Sequence, residues 1–252
     1  MLEIRSLSAG YSGHPVLKNV SLSIPAGKAT ILAGPNGCGK SSLLKAVTGI
    51  LPHTGRILLD GRDLTSLPSR ELAQAIAFLP QHRPVPEITA ERLVLHGPFP
   101  CLHYPRRYRE ADRQIAREAM ARLGISHLAQ RSLPALSGGQ RQKVYIAMAL
   151  AQDTPVILLD EPTAFLDISH QLQLMTQARL LAQEGKTVVA VLHDLTMALE
   201  QADNLILMEN GTITAQGTPE SVFQTSLLSH TFHVPIRRPQ TPEGWKYFYH
   251  PP

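Results

Sequence analysis

Along the first part of the chain, apolar positions alternate with polar ones: Leu2, Ile4 and Leu7, then Val16, Leu17, Val20, Leu22 and Ile24. Period-two runs broken by Gly10, Gly13 and Pro15 predict antiparallel strands joined by tight turns. Thr30-Ile31-Leu32-Ala33 loses that alternation and predicts a buried strand, followed by a glycine-rich turn and a helical stretch, Ser41 to Val47. Arg56 to Leu59 and Ile76 to Pro80 predict further strands. From Gln81 to about Asp153 the texture becomes helical. Ile115, Ala119 and Leu123 recur every four residues between Glu110 and Leu123, which predicts an amphipathic helix with Arg113, Arg117 and Arg122 mostly off its apolar face. Between Gln81 and Glu110 runs a connection rich in proline (Pro84, Pro86, Pro98, Pro100, Pro105), and irregular segments of that length inside a domain are usually functional. After Pro155 strand-like runs, Val156 to Leu159 and Thr187 to Leu192, flank a helical one, Ile168 to Glu184. All-apolar strands separated by helices predict a parallel sheet covered on both faces, with the helical block as an insertion into it. Thr218-Pro219-Glu220 predicts a late helix start, and Trp245, Tyr247, Phe248 and Tyr249 are expected to pack against the domain.

Composition narrows the class. Hydrophobic residues make up 43% and charged residues 17% of 252, enough for a packed core, which excludes a disordered or fibrous chain. The 20 prolines, about 8% against a usual ~5%, predict many connections between elements. Cys38 and Cys101 cannot make a disulfide framework, so a reducing cytosol is expected. The longest wholly apolar run, Val144 to Ala151, falls far short of the ~18 residues of a membrane span. Glu3 and Arg5 interrupt the first residues, so no secretory signal is expected. A net charge of +4 fits acidic partners, a membrane surface or nucleic acid, and equally a solvated surface.

Candidate chemistry starts at Gly34-Pro35-Asn36-Gly37-Cys38-Gly39-Lys40-Ser41, between a predicted strand and a predicted helix. This is a P-loop: glycines let backbone N–H groups point at phosphate oxygens, and the helix N-terminus adds its positive end. Lys40 is expected to reach the β- and γ-phosphates of ATP and the Ser41 hydroxyl to ligate Mg2+, with Ser42 beside them. Asp160 ends the strand Val156 to Leu159, and an acid at the carboxyl end of a buried strand suits a magnesium held partly by waters. Glu161 next to it is placed to orient or deprotonate an attacking water. Either acid alone could equally be a helix cap; the P-loop upstream favours the nucleotide reading. Leu136-Ser137-Gly138-Gly139-Gln140 opens a helix with Arg141-Gln142-Lys143, a second glycine-rich helix N-terminus and hence a second anion site. Two phosphate-binding ends with one P-loop suggest a nucleotide gripped by two subunits.

With that motif the chain resembles the ATP-binding cassette (ABC) family, whose signature reads LSGGQ; the resemblance runs from Tyr11 to about Gly217 with each motif in family order. It implies an α/β fold, a RecA-like P-loop NTPase core of parallel strands with an N-terminal antiparallel β-subdomain and an inserted helical subdomain. Over 1–252 it implies one ATPase domain: core and β-subdomain at 1–80 and 154–217, the helical insert with Q-loop and signature at 81–153, and a tail at 218–252. It makes Tyr11 the aromatic stacking on adenine, Gln81 the Q-loop glutamine reaching magnesium and water, His193 the switch histidine at the γ-phosphate, and Asp167 the D-loop aspartate at the dimer interface. Ala164 departs from the serine that often opens the family's D-loop, which removes a hydroxyl near that interface.

The mechanism the resemblance implies is a head-to-tail dimer around two ATP molecules. One subunit holds Mg-ATP through Lys40, Ser41 and Asp160, and Ser137 and Gly139 of the other, with Gly138 and Gln140, cap the γ-phosphate. Glu161 activates water, with Gln81 and His193 assisting. The implied partners are a second copy of the cassette, separate transmembrane permease subunits and, through them, an extracytoplasmic solute-binding protein, with no nucleic acid expected. The implied location is the cytoplasmic face of the membrane. Arg106, Arg107 and Arg109 suit either acidic permease loops or a solvated basic face. Leu136 to Asp153, Thr154 to Thr163 and Gly185 to Leu195 resemble the cassettes of importers for ferric siderophores, haem and cobalamin. An exporter cassette, or a soluble cassette ATPase of DNA repair or iron–sulfur assembly, shares the catalytic motifs; two cysteines and no heptads speak against the repair type.

Overall fold

The computed structural model describes residues 1–102, 104, 107–242 and 244–249. In chain order its main elements are strands β1 (Leu2–Tyr11), β2 (His14–Ile24) and β3 (Ala29–Ala33), helix α1 (Lys40–Val47), strands β4 (His53–Leu59) and β5 (Arg62–Asp63), helix α2 (Ser69–Ala75) and strand β6 (Ile76–Leu79). Helices α3 (Ala90–Val94), α4 (Glu110–Arg122) and α5 (Gly138–Ala151) come next, then β7 (Val156–Asp160), α6 (Ile168–Gln183), β8 (Thr187–Val191), α7 (Leu195–Gln201), β9 (Asn204–Glu209), β10 (Thr212–Gly217), α8 (Pro219–Gln224) and α9 (Leu227–Phe232). They form two compact units, Met1–Ser66 with Arg179–Pro252, and Leu67–Ala178; the boundary falls within α6.

The first unit holds two sheets. In one, the order is β2-β1-β4-β5, antiparallel throughout. The β1–β2 hairpin turns at Ser12 and Gly13, with φ of 48° and 83°, the double positive φ that a tight hairpin needs to match strand twist. In the other, β3 lies between β8 and β9 and parallel to both, and β10 returns antiparallel to β9. Every residue of β3 and β8 is buried, as strands covered on both faces must be. Two polar pairings join neighbouring strands there: Asn204 Nδ2 donates to Thr30 Oγ1 at 3.2 Å and Ala29 N donates to Asp203 Oδ2 at 2.9 Å. The α/β class expected from the pattern is the one adopted.

In the second unit β6 and β7 pair in parallel, and β7 is buried along its whole length. Helix α5 buries Val144, Tyr145, Ile146, Ala147, Ala149 and Ala151, so it is apolar on most faces and acts as the centre of the helical block. Helix α4 packs on α3 and α5, but through Ala116, Ala119 and Met120; Ile115, expected on the buried face, is 37% exposed. The apolar stripe sits one residue later than the large side chains suggest, because small alanines let the helices approach closely. Arg117 lies off that stripe as expected, paired with Glu110.

Two further expectations need amendment. In the C-terminal segment Tyr247 is buried against Phe223, ring centroids 5.7 Å apart, and Arg238 lies over the Phe223 and Trp245 rings at 4.6 and 4.1 Å. Phe248 and Tyr249, expected to pack, are exposed: they sit on a two-residue edge strand that no other described residues bury. The proline-rich connection is partly structured by α3 and a short turn at Phe99–Cys101. Pro105 and Arg106 lie outside the described residues, while Arg107 is exposed and Arg109 N is capped by Asp112 at 2.7 Å. No helix among the described residues is long and apolar enough to cross a membrane.

Candidate functional site

The first unit places the P-loop by strand geometry. Leu32 of β3 is in register with Val191 of β8, so Gly34 and His193 both leave the sheet at its carboxyl edge, where open α/β sheets bind ligands. Gly34 has φ 153°, and a Cβ there would stand 2.1 Å from Met208 O; Gly39 has φ 109° as the residue before α1. Only glycine tolerates both. Asn36 and Gly37 form the exposed tip. Lys40 is only 6% exposed, and its Nζ donates to Gly34 O at 2.7 Å and Pro35 O at 2.8 Å. The ammonium thus lies curled over its own loop, held by two neutral carbonyls that phosphate oxygens, being charged, can displace. Cys38 is buried, which pushes its thiol pKa up against the opposing pull of Lys40, 3.9 Å away. Ser41 is half-buried and Ser42 buried on the first turn of α1. Tyr11 stands half-open at the β1–β2 turn, 45% exposed, a position that suits a stacking face better than a core one. His193 is exposed, and Asp194 after it caps α7 through Met197 N at 3.0 Å.

The second unit repeats the same logic. Leu79 of β6 pairs with Leu159 of β7, so Gln81 and the Asp160–Glu161 pair leave at one edge. Gln81 Nε2 donates to Glu161 Oε2 at 2.5 Å, bringing together two residues 80 positions apart. Asp160 is 1% exposed. Glu161 stands at φ 52° and Phe165 at φ 64°, two non-glycine residues in the sparsely populated left-handed region. Such strain, about 1–3 kcal/mol each, persists only where the surroundings hold it and clusters at functional sites.

Ser137 caps α5 reciprocally with Gln140: Gln140 N donates to Ser137 Oγ at 3.2 Å and Ser137 N donates to Gln140 Oε1 at 3.1 Å. Gly138 and Gly139 both lie against Phe165, Gly139 the more tightly. A Cβ on Gly138 would lie 3.4 Å from Phe165 Cβ, and one on Gly139 would lie 3.2 Å from Phe165 O. These glycines, Asp167 and Lys143 line one cavity of about 780 Å3. Sequence reasoning missed Phe165, which is 81% exposed beside the glycines, and Arg83, whose Nη2 donates to Gln142 Oε1 at 2.5 Å.

Asp167 accepts from His170 N at 2.9 Å, Ser169 Oγ at 2.9 Å and His170 Nδ1 at 2.8 Å. Those donors, the His170 backbone first, hold its carboxyl down at about 2. A folded-state value below the unfolded one stabilises fully above the unfolded value and fades as pH falls through the folded one. Asp167→Ala is therefore expected to lower the melting midpoint by about 2 °C above pH 5 and by progressively less below pH 4. Paired thermal melts across that range check it; a gap that stays constant with pH assigns the loss to something other than this carboxylate.

Ser41 in the first unit, and Gln81 and Asp160 in the second, each carry hard oxygen donors of the kind Mg2+ takes. Among the described residues no cluster of three or more His, Cys, Asp or Glu could hold a metal.

A family model described as ABC transporter matches residues 17–164. The achromobactin transport ATP-binding protein of Dickeya dadantii is 40% identical over 98% of this chain and 91% of its own length. The ferric enterobactin transport ATP-binding protein of Escherichia coli is 42% identical over 90% and 84%, and the hemin import ATP-binding protein of Rhodococcus jostii 41% over 93% and 80%. Among solved structures, an inward-facing ABC transporter provisionally assigned to the metal-chelate type superposes with a TM-score of 0.83 at 28% identity, covering 99% of this chain and 96% of that one. A dimeric cassette in a post-hydrolysis state with ADP and Pi gives 0.76 at 30% identity, over 87% and 99%. With the P-loop, the glycine-rich helix start and the acidic strand end on one chain, and such matches along nearly all of it, the chain belongs to the ABC transporter family.

Proposed function

We propose that this chain is the ATP-hydrolysing subunit of an importer that takes up a ferric siderophore or a related metal chelate through a separate permease. The observation that carries the catalytic half is the Gln81–Glu161 hydrogen bond, which fixes a carboxylate at the edge where β6 and β7 end. The cargo half is supported by relatives whose names specify ferric enterobactin and hemin.

On this reading Lys40 leaves the Gly34 and Pro35 carbonyls for the β- and γ-phosphates of ATP, and Tyr11 stacks on adenine. Residues 34–42 wrap the phosphates with backbone N–H groups and the positive end of α1. Ser41 and Asp160, with Gln81 near, would hold Mg2+, which would supply positive charge against that building on the phosphates. Ser137, Gly138, Gly139 and Gln140 of a second copy close over the γ-phosphate, and Asp167 lies at that interface. Glu161 takes the proton from the attacking water, which Gln81 orients, and His193 contacts the γ-phosphate under attack as ADP leaves. The domain division that goes with it is a core at 1–80 and 154–217, a helical insert at 81–153 and a tail at 218–252. The chain then works as a homodimer on the cytoplasmic face of the membrane, bound to permease subunits that an extracytoplasmic solute-binding protein feeds.

Uptake tests the reading. In cells from which the chain is deleted, accumulation of 55Fe-labelled ferric siderophores or haem is expected to fall to background and to return with the wild-type chain, not with Glu161→Gln. Unchanged uptake of every chelate, alongside intact ATP hydrolysis by the purified chain, sinks the importer reading and favours an exporter or a soluble ATPase.

A further inference from the structure

The Glu161-Pro162 segment is held at two points, one on the Glu161 side chain and one on the Pro162 carbonyl, and only the first belongs to a recognised motif. Gln81 Nε2 reaches the Glu161 carboxylate directly. Two residues further on, Arg83 Nη2 donates to Gln142 Oε1 at 2.5 Å, and Gln142 Nε2 donates to Pro162 O at 2.6 Å. Gln142 is 3% exposed, so its amide cannot exchange either partner for bulk water without cost. Arg83 is oriented as a plate: its guanidinium lies 4.6 Å over the Tyr145 ring, and the Tyr145 hydroxyl donates to Pro84 O. Its Nη1 is buried with no hydrogen-bond partner among the described residues. A side chain kept half-buried with one nitrogen unpaired costs stability, so something else must hold it there.

We propose that Arg83 is a positioning residue for Glu161, acting through Gln142 and the Pro162 carbonyl. The proposal rests on the reading of Glu161 as the group that activates water. Glu161 stands at φ 52°, a sparsely populated conformation that persists only where the segment around it is pinned. The Pro162 carbonyl is that pin, Gln142 holds it, and Arg83 fixes which end of the Gln142 amide faces Pro162. An amide that flipped would present its oxygen to the Pro162 oxygen. Because Gln142 lies on α5, two turns or less from Ser137, the same bridge keeps the glycine-rich helix start in step with the Glu161 peptide. Lysine cannot substitute, since it has neither the planar fork nor the stacking face.

The full chain, carrying Arg83→Met, Arg83→Lys, Gln142→Leu or Arg83→Met with Gln142→Leu, tests this by turnover, equilibrium ATP binding and thermal melting. Each single variant is expected to lose about tenfold in kcat, as misplacing a catalytic group by a fraction of an ångström does. The ATP dissociation constant should stay within about twofold, because Lys40 and the P-loop are untouched. Arg83→Lys should not restore the rate, and the double variant should be no slower than the slower single one, the signature of one shared path. If Arg83→Met folds poorly, Gln142→Glu decides: it still accepts from Arg83 but cannot donate to Pro162, and should be as slow. Turnover within twofold of wild type in the folded variants, or losses that multiply in the double, overturns the proposal. Glu161→Gln is run beside them: near-normal turnover there removes the base itself, whereas a slow Glu161→Gln with a normal Arg83→Met removes only the positioning role.

Discussion

Glutamine in place of Glu161 is expected to bind ATP as the wild-type chain does and to turn it over about 10²- to 10⁴-fold more slowly, the range a positioned general base contributes. The exchange is close to isosteric, and the new amide oxygen still accepts the hydrogen bond that Gln81 Nε2 now gives Glu161. Strand β7 before it is held by five buried residues that the change does not touch. On the proposed reading nucleotide affinity resides in the loop around Lys40, which keeps its composition and its helix N-terminus. What disappears is the single capacity to take a proton from water. Equilibrium ATP binding with steady-state turnover separates the two quantities: affinity retained with turnover lost identifies Glu161 as the base. Turnover within a few fold of wild type would hand that role to another group and leave the Gln81–Glu161 contact a structural one.

How much of this could be read beforehand depended on the range of the interaction. Val156 to Leu159 and Thr187 to Val191 are all but free of polar residues, and a five-residue apolar run flanked by turns has few folded uses other than a strand covered on both faces. The P-loop was legible for the same local reason, since its glycines, its lysine and the helix that follows lie within a dozen residues. Ile115 misled because apolar bulk was weighed above size: the close approach of α4 to α3 and α5 selects Ala116 and Ala119, and the large neighbour is left outside. The edge aromatics Phe248 and Tyr249 misled by the opposite route, large apolar side chains on a strand too short to bring anything over them. Least legible were partnerships without a pattern. Arg83 and Gln142 stand 59 positions apart, and neither an arginine after a glutamine nor a glutamine in a helix signals the other. The positive φ of Glu161 was equally silent, because no residue type demands it; tertiary contacts impose it.

Methionine in place of Lys40 is expected to raise the ATP dissociation constant by at least about 100-fold, since hydrogen bonds to charged phosphate oxygens contribute about 1.5–3 kcal/mol each and two phosphates are reached. The fold should survive, because α1 is anchored by Leu43, Leu44, Ala46 and Val47, all buried, and methionine fills most of the volume of the lysine stem. The ammonium is already nine-tenths hidden and satisfied by the Gly34 and Pro35 carbonyls. Binding therefore exchanges two neutral acceptors for charged ones rather than stripping a hydrated cation. Arginine should fail as well: its planar guanidinium spreads its charge away from the single point at which the ammonium meets both carbonyls. ADP supplies the discriminating measurement. It lacks the γ-phosphate, so if Lys40 bridges the β- and γ-oxygens, its removal should cost ADP several-fold less than ATP, by equilibrium titration of both nucleotides. Equal losses for the two would mean that the lysine acts by holding the loop closed on itself, through the contacts visible at Gly34 and Pro35, and that the γ-phosphate is met by other groups.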